Sequence, residues 1–331
     1  LLMSSSERSK TSAFEQVTEY NIHIPVLLTE VLSFVRTDIP NMVIVDMTIG
    51  RAGHSSNILE VVDNTASLYG FDRDPAALSY SEQKLSHYSQ SHKLFHSKFS
   101  QAIPTLKEYG LRGADFILMD IGVSSPQFDD PERGFSYRYD APLDMRMDNT
   151  QKLTAREVVN TYSADELKRI LFEYGGEKFA GPIARKIVEE RAKKSIETTF
   201  ELVDVIKKAL PERILRKKGH PAKQTFMALR YEVNDEKNEL INGLSQAVEF
   251  LNPMGRVAII TFNSEEDEIA KNILMKYAPK KTFNRFLPIP TEDGKCPYEI
   301  LTKKPILPDK DELEFNPRSE SAKMRVIERR Y

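Results

Sequence analysis

One cysteine in 331 residues is the first thing the sequence is short of. A lone thiol, Cys296, excludes an internal disulfide and a cysteine-built zinc site, and it fits a reducing cytoplasm. Histidine is also scarce, and none of the six stands in HExxH or another paired spacing, so no metal is expected. Long hydrophobic runs are missing as well. The longest, such as Val43 to Met47 and Val257 to Phe262, are strand-sized, well short of the roughly 20 residues of a membrane-spanning helix. The opening stretch LLMSSSERSKTSAFEQ has no apolar core or cleavage pattern, and residues 1–20 read as a polar extension. A net charge of -2 gives no overall attraction for nucleic acid, so any such contact must come from local clusters of Lys and Arg.

What is present is a globular composition, 40% hydrophobic and 29% charged, enough to build a real core. From residue 43 short β-branched or aromatic runs alternate with amphipathic ones: VIVDM at 43–47, LYGFD at 68–72, KLFH at 93–96 and FILMD ending at Asp120. This rhythm predicts βαβ units and a parallel sheet, with helices at 55–62 and from Pro75 to about His87. Residues 121–149 break it with Gly, Pro, Ser and many charges, which predicts a long functional loop. Over 154–210 apolar residues recur at i, i+3, i+4 spacing, a run of helices inserted into the α/β unit. The alternation resumes with helices at 235–251 and 265–277 and strands at 256–262 and 298–302. From Pro305 the chain reads as mostly polar and irregular.

The first strand runs into VIVDMTIGRAGHSSNIL, a strand, an acid, a glycine turn and a helix start. Gly50 and Gly53 let backbone approach a ligand, and the helix start presents unpaired N–H groups. Twenty-two residues past Gly50, Asp72 ends the second strand in FDRDP, where a carboxylate can accept hydrogens from both ribose hydroxyls. Dinucleotide-binding enzymes share this pattern, and so do ordinary strand-to-helix turns that bind nothing. GRAGH is not G-x-G-x-x-G, however, and no third glycine follows to cradle a diphosphate. A neutral-to-acidic pocket suits a cofactor with a sulfonium and no phosphate.

These stretches, with HIPVLLTEVL at 23–32, DMTIGRAGHS at 46–55, DRDP at 72–75, DIGVSSPQFDDPERGFSYRYDAPLDMRMD at 120–148, YGGEKFAGPIARKIVEER at 174–191, HPAKQTFMALRYEVN at 220–234 and NPRSESAKMR at 316–325, resemble the bacterial 16S ribosomal RNA (cytosine-N4) methyltransferases, the MraW or RsmH family. The likeness runs from about His23 to Arg325. It implies an α/β fold, a class I Rossmann-like methyltransferase sheet with an inserted helical domain. The methyltransferase domain would cover 21–127 and 223–305, the substrate-recognition insertion 128–222 and a C-terminal tail 306–331. It further implies S-adenosyl-L-methionine as donor and, as substrate, the exocyclic N4 of a cytosine in the decoding region of 16S rRNA in the small ribosomal subunit. Carried over by position, the cofactor contacts are Ala52, Gly53, His54, Asp72 on the ribose, Phe99 on the adenine, and Asp120 and Gln127 near the transferred methyl. No membrane partner is implied, and oligomeric state stays open, a dimer included.

A cytosine amine is a poor nucleophile because its lone pair is delocalised into the ring. Acceptors for its N–H hydrogens belong at the carboxyl end of the fourth strand, which points to Asp120, Ser124 and Ser125 as catalytic. Methylation at carbon 5 would need a cysteine nucleophile, and Cys296 in GKCPYEI reads as structural. The target base must leave its stack, and the 120–148 segment offers Arg133, Phe135, Tyr137, Arg138, Tyr139, Arg146 and Met147 for that. The same segment also fits a loop closing over the cofactor with internal Arg–Asp pairs. Arg213, Arg216, Lys217, Lys218, His220 and Lys223 form the densest basic cluster, read either as phosphate contacts or as a solvated helix end. From both groups Arg133, Arg138, Lys217, Lys218 and His220 are the RNA-binding candidates.

Departures from the family pattern fall at Ala52, where glycine is usual and the added methyl is expected to crowd the cofactor, and in TFNSEEDE at 261–268. There Asn263, Glu265 and Glu268 replace histidine, leucine and arginine, and Glu320 replaces a base near the end. They keep open an amino methyltransferase acting on another nucleic acid, such as DNA. A ribosome-assembly RNA-binding protein that has lost catalysis is the other alternative, against which the retained acidic and glycine positions stand.

Overall fold

Residues 25–122, 130–279 and 296–331 are described by the computed structural model. Seven strands form one sheet: β1 (Val43–Asp46), β2 (Ser67–Asp72), β3 (Ser91–His96), β4 (Ala114–Asp120), β5 (Leu251–Thr261), β6 (Tyr298–Ile300) and β7 (Lys323–Arg329). Their order is β3-β2-β1-β4-β5-β7-β6, parallel through β5, with β7 antiparallel to both its neighbours. Parallel pairing puts the carboxyl ends of β1 to β5 along one edge, where ligands bind in open α/β sheets.

Side chains alternate across the sheet and sort the core into two layers. Val45, Ile117, Met119, Val257 and Ile259 point to one face, while Ile44, Phe116, Leu118, Ala258 and Ile260 point to the other. Helices α1 (Leu28–Phe34), α2 (Gly53–Val61) and α3 (Pro75–Leu85) cover the second face. The first face is covered by α4 (Phe99–Glu108) and by two later helices described below. Helix α4, to which sequence reading assigned no element, carries Pro104 in its middle. Burial of Ala102, Ile103 and Leu106 outweighs the one backbone bond that proline removes.

A third apolar cluster belongs to α5 (Ala155–Thr161), α6 (Ala164–Glu173), α7 (Ala180–Arg191), α8 (Thr199–Ala209), the short α9 (Glu212–Leu215) and α10 (Lys223–Asn234). Capping boxes open three of these helices, Thr154 with Glu157, Ser163 with Glu166 and Thr198 with Glu201, a start signal written in the sequence. Helix α10, which sequence reading grouped with the sheet, packs Phe226, Ala228, Leu229 and Val233 into this helical cluster. Phe135, Leu143, Met145 and Met147 anchor residues 130–149 there too, and that stretch holds one 3-10 turn, Pro131–Arg133.

Helices α11 (Glu236–Glu249) and α12 (Ser264–Tyr277) return the chain to the first face of the sheet. The stretch after Pro305, expected to be irregular, instead forms α13 (Lys310–Phe315), a 3-10 turn at Pro317–Ser321 and strand β7 inside the sheet. Buried charges hid that strand. Arg325 makes two hydrogen bonds to Asp267 at 2.7 and 3.0 Å, and Glu328 accepts one from Arg256 at 2.8 Å, so residues that look solvent-facing sit in the core.

Candidate functional site

Asp46 closes β1 and is 1% exposed. Its Oδ1 accepts the N–H of Thr48 at 3.1 Å and its Oδ2 the hydroxyl of Ser55 at 2.5 Å, so this carboxylate ties the following turn to the start of α2. Burial pushes it up to about 6. In the turn, Gly50 takes φ +51°, a left-handed conformation that suits glycine. Ala52 adopts φ +54° with its methyl fully buried in the core cluster of the second sheet face. The methyl expected to crowd the cofactor therefore points into the core. At Gly53 a Cβ would lie 2.8 Å from Pro25 Cγ, so close packing against the segment before α1 requires glycine.

Asp72, at the end of β2, accepts from the N–H of Gly50 at 2.9 Å and of Asp74 at 2.8 Å. Burial raises its carboxyl to about 6 against the lowering by those two bonds. On the other side of the turn, His54 Nε2 lies 2.8 Å from the carbonyl of Val26 and its Nδ1 3.7 Å from Asp120 Oδ2. Because that carbonyl can only accept, the ring proton sits on Nε2 and Nδ1 presents its lone pair to Asp120. Burial lowers the His54 pKa, which keeps the ring neutral near pH 7. Thr48 completes the arrangement, its hydroxyl accepting the Asp120 N–H at 2.7 Å. One turn, 48–54, thus touches Asp72 on one flank and Asp120 on the other.

Phe99 opens α4 with its ring half-buried against Gly243 of α11, where a Cβ would come within 3.3 Å. The guanidinium of Arg73 lies over the same ring at 5.5 Å. Arg73 is 5% exposed and donates to the Asn234 carbonyl at 2.8 Å, with Glu239 at 3.8 Å. Glu239 in turn accepts the N–H and hydroxyl of Ser100, both at 3.0 Å. The amide of Asn234 bonds Met145 O and Met147 N, each at 2.8 Å, which staples the loop ahead of α5 to the end of α10. Arg73, Asn234 and Glu239 escaped sequence reading because the bonds that join them to other elements span 161, 87 and 139 residues of chain.

Of the RNA-facing candidates, Arg133 is turned inward. Its guanidinium bonds Asp74 at 2.9 Å and the carbonyls of Arg146 and Met147 at 3.0 and 2.9 Å. Arg146 likewise grips Asp144 and the carbonyls of Asn149 and Gln151. The internal Arg–Asp reading holds for these two residues. Arg138, Lys217 and Lys218 are exposed. His220 stacks on Tyr137 with ring centres 4.1 Å apart, and its pKa is lowered by burial and then by the charges of Lys207 and Arg138. Residues 137–138 and 217–220 therefore share one basic surface. Ser124, Ser125 and Gln127 lie outside the described residues.

The unusual TFNSEEDE segment is integrated into the fold. Asn263 caps α12 by accepting the Glu266 N–H at 2.9 Å, and it donates to the Tyr231 hydroxyl at 2.7 Å. Glu265 pairs with Lys237 at 3.3 Å and Glu268 with Lys271 at 3.1 Å, both on the surface, and Glu320 is exposed. No group of three or more His, Cys, Asp or Glu side chains placed to hold a metal occurs among the described residues. Nor, among them, is any helix long and apolar enough to cross a membrane.

The profile of the MraW methylase family matches residues 20–330. Ribosomal RNA small subunit methyltransferase H of Clostridioides difficile (strain 630) is 46% identical over 307 residues, covering 93% of this chain and 98% of its own. The proteins of the same name from Fusobacterium nucleatum and Mesoplasma florum are each 46% identical, again over 93% of this chain, and are themselves covered to 96% and 99%.

Proposed function

Because the chain belongs to the MraW methylase family, we propose that it methylates small-subunit ribosomal RNA, with S-adenosylmethionine as donor and the exocyclic N4 of a cytosine in the decoding region of 16S rRNA as acceptor. The three relatives named ribosomal RNA small subunit methyltransferase H support the substrate class. The observation that carries the reading is the single turn linking Asp72 and Asp120 across the carboxyl ends of β2, β1 and β4. The turn presents backbone and carboxylate, and cations near it are engaged elsewhere: Arg51 lies over the Tyr80 ring at 4.8 Å, while Arg73 and Arg133 bond internal acceptors, an arrangement that suits a cationic sulfur rather than phosphates.

In this reading Ala52, Gly53 and His54 line the donor, Asp72 holds its ribose, Phe99 packs its adenine, and Asp120 with Gln127 flanks its methionine end. Bound there, S-adenosylmethionine supplies an electrophilic methyl on a positively charged sulfur. Asp120 accepts an amino hydrogen of the target base, which pulls the nitrogen lone pair out of conjugation and aligns it for attack. As the N–C bond forms and the S–C bond breaks, the proton leaves nitrogen for Asp120. The His54 Nδ1 lone pair beside it offers that proton a second resting place. Ser124 and Ser125, which follow Asp120 along the chain, are assigned the same role. The helical insertion, 128–222, presents Arg138, Lys217, Lys218 and His220 to the RNA, and Arg133 ties its loop to Asp74 instead of binding phosphate.

Transfer of labelled methyl to small ribosomal subunits lacking the modification, compared with duplex DNA, tests the proposal. Mass spectrometry of the digested RNA should find N4-methylcytidine. Label on DNA alone, or at another RNA position, overturns the assignment. Asp120→Asn should lower turnover by roughly a hundredfold or more while S-adenosylhomocysteine still binds by calorimetry. Wild-type turnover in that variant would remove Asp120 from the proton path.

A further inference from the structure

The sequence Asp120-Ile-Gly-Val-Ser-Ser-Pro, at the end of β4, contains no aromatic ring. The neighbouring strand supplies one. Asp120 pairs with Ile260 and the N–H of Ile121 bonds the Ile260 carbonyl at 3.1 Å, a register that brings Phe262 alongside Gly122. A Cβ at Gly122 would lie 2.5 Å from the Phe262 ring, so glycine is what allows the ring to rest on that backbone. Phe262 is half-buried and sits at the carboxyl edge of the sheet, two residues along from Asp120 on the adjacent strand.

Around this ring a closed set of hydrogen bonds is assembled. The Phe262 N–H donates to Glu266 at 2.8 Å. The other Glu266 oxygen accepts from the Tyr231 hydroxyl. That hydroxyl accepts from Asn263 Nδ2 at 2.7 Å, and Asn263 Oδ1 accepts the Glu266 N–H at 2.9 Å. Tyr231 is 2% exposed and Glu266 4% exposed, and Arg230 with Glu236 forms a further ion pair at 2.8 Å beside them. A helix cap needs only Asn263. Burying a tyrosine and a carboxylate as well fixes the Phe262–Asn263 step in one conformation, and it does so where a base would have to arrive.

We propose, building on the methyltransferase reading above, that Phe262 is the platform on which the extruded cytosine stacks. Tyr231, Asn263 and Glu266 are positioning residues that hold the ring beside Asp120. A flat pyrimidine held by one face can offer its amine edge to Asp120 only within the plane the ring sets, so the network acts on the rate of transfer and not on the donor. This gives the altered Asn263 a role, since its amide both donates to Tyr231 and caps α12.

Stacking on an aromatic side chain contributes about 1–3 kcal/mol per base, equivalent to about 5- to 150-fold in rate if it is made at the transferring geometry. Phe262→Leu keeps apolar bulk but loses the flat face, and Phe262→Tyr keeps the face. The expected result is a fall of that size in methyl transfer to the small subunit for Phe262→Leu, near-complete rescue in Phe262→Tyr, and unchanged affinity of both for S-adenosylhomocysteine. Tyr231→Phe should lower kcat with little change in KM for either substrate. Wild-type turnover in Phe262→Leu overturns the platform. So does an equal loss in both Phe262 variants, or a loss accompanied by weakened S-adenosylhomocysteine binding, because the ring would then support packing or the donor. A wild-type protein that binds S-adenosylhomocysteine yet methylates no ribosomal RNA would instead refute the broader functional assignment.

Discussion

In the proposed reading Asp72 has two roles that pull its protonation in opposite directions. In the ligand-free protein its carboxyl is raised to about 6 by burial, above the roughly 3.9 of an unfolded aspartate. Between these values the folded chain holds the extra proton, so this group favours folding most below about pH 4 and contributes progressively less as pH rises to 6. A ribose diol needs the ionised form as its acceptor. S-adenosylhomocysteine affinity should therefore strengthen from pH 5 to pH 7, with Asp72→Asn flattening that dependence and weakening binding by tenfold or more at pH 7.5. Calorimetry across this range checks both, and a wild-type affinity independent of pH would dissociate Asp72 from the sugar. The acid at the end of a strand was legible in the sequence. Its partner Gly50 was legible as a turn, whereas which ring nitrogen of His54 carries the proton depends on Val26, 28 residues earlier in the chain.

At the scale of elements, two long-range connections can each be broken by a single substitution. Asn234 at the end of α10 satisfies Met145 O and Met147 N, and without its amide both backbone groups stay buried and unpaired. Asn234→Ala should reduce stability by about 2–4 kcal/mol, and limited proteolysis should cut first within 131–148. An unchanged denaturation midpoint would mean that the loop is held by its apolar anchors alone. The second connection is β7. Arg325→Ala leaves Asp267 buried without its partner and should cost about 3–5 kcal/mol, measured by urea denaturation, whereas Arg256 is less buried and its removal should cost less. The 3.6-residue period and the alternation of short β-branched runs with amphipathic ones made most helices and strands readable in advance. Strand β7 and helix α4 were not, since KMRVIER carries charges that only a partner strand and helix neutralise, and Pro104 masks a helix whose stability comes from packing.

Across the whole molecule, Arg138, Lys207, His220, Lys217 and Lys218 form a basic surface on the helical unit. With a net charge of -2, counterion release on RNA binding has to come from a local basic surface, and this one is the proposed contact. Neutralising Lys217 and Lys218 together to Gln should lower the salt dependence of RNA binding by one to two units of log–log slope, with donor affinity unchanged. An identical slope would leave these lysines as a solvated helix end.

Local sequence determined the strand-turn-acid signature at 43–72, the helical run from 154, and the lack of disulfide and cysteine-zinc chemistry, because each follows from neighbouring residues and their periodicity. Only the tertiary structure decided that Arg133 faces inward, that the Ala52 methyl enters the core, that β7 completes the sheet and that Phe262 rests on Gly122. Those outcomes depend on which distant groups meet in space, and a buried charge or ring has no signal of its own until its partner is in place.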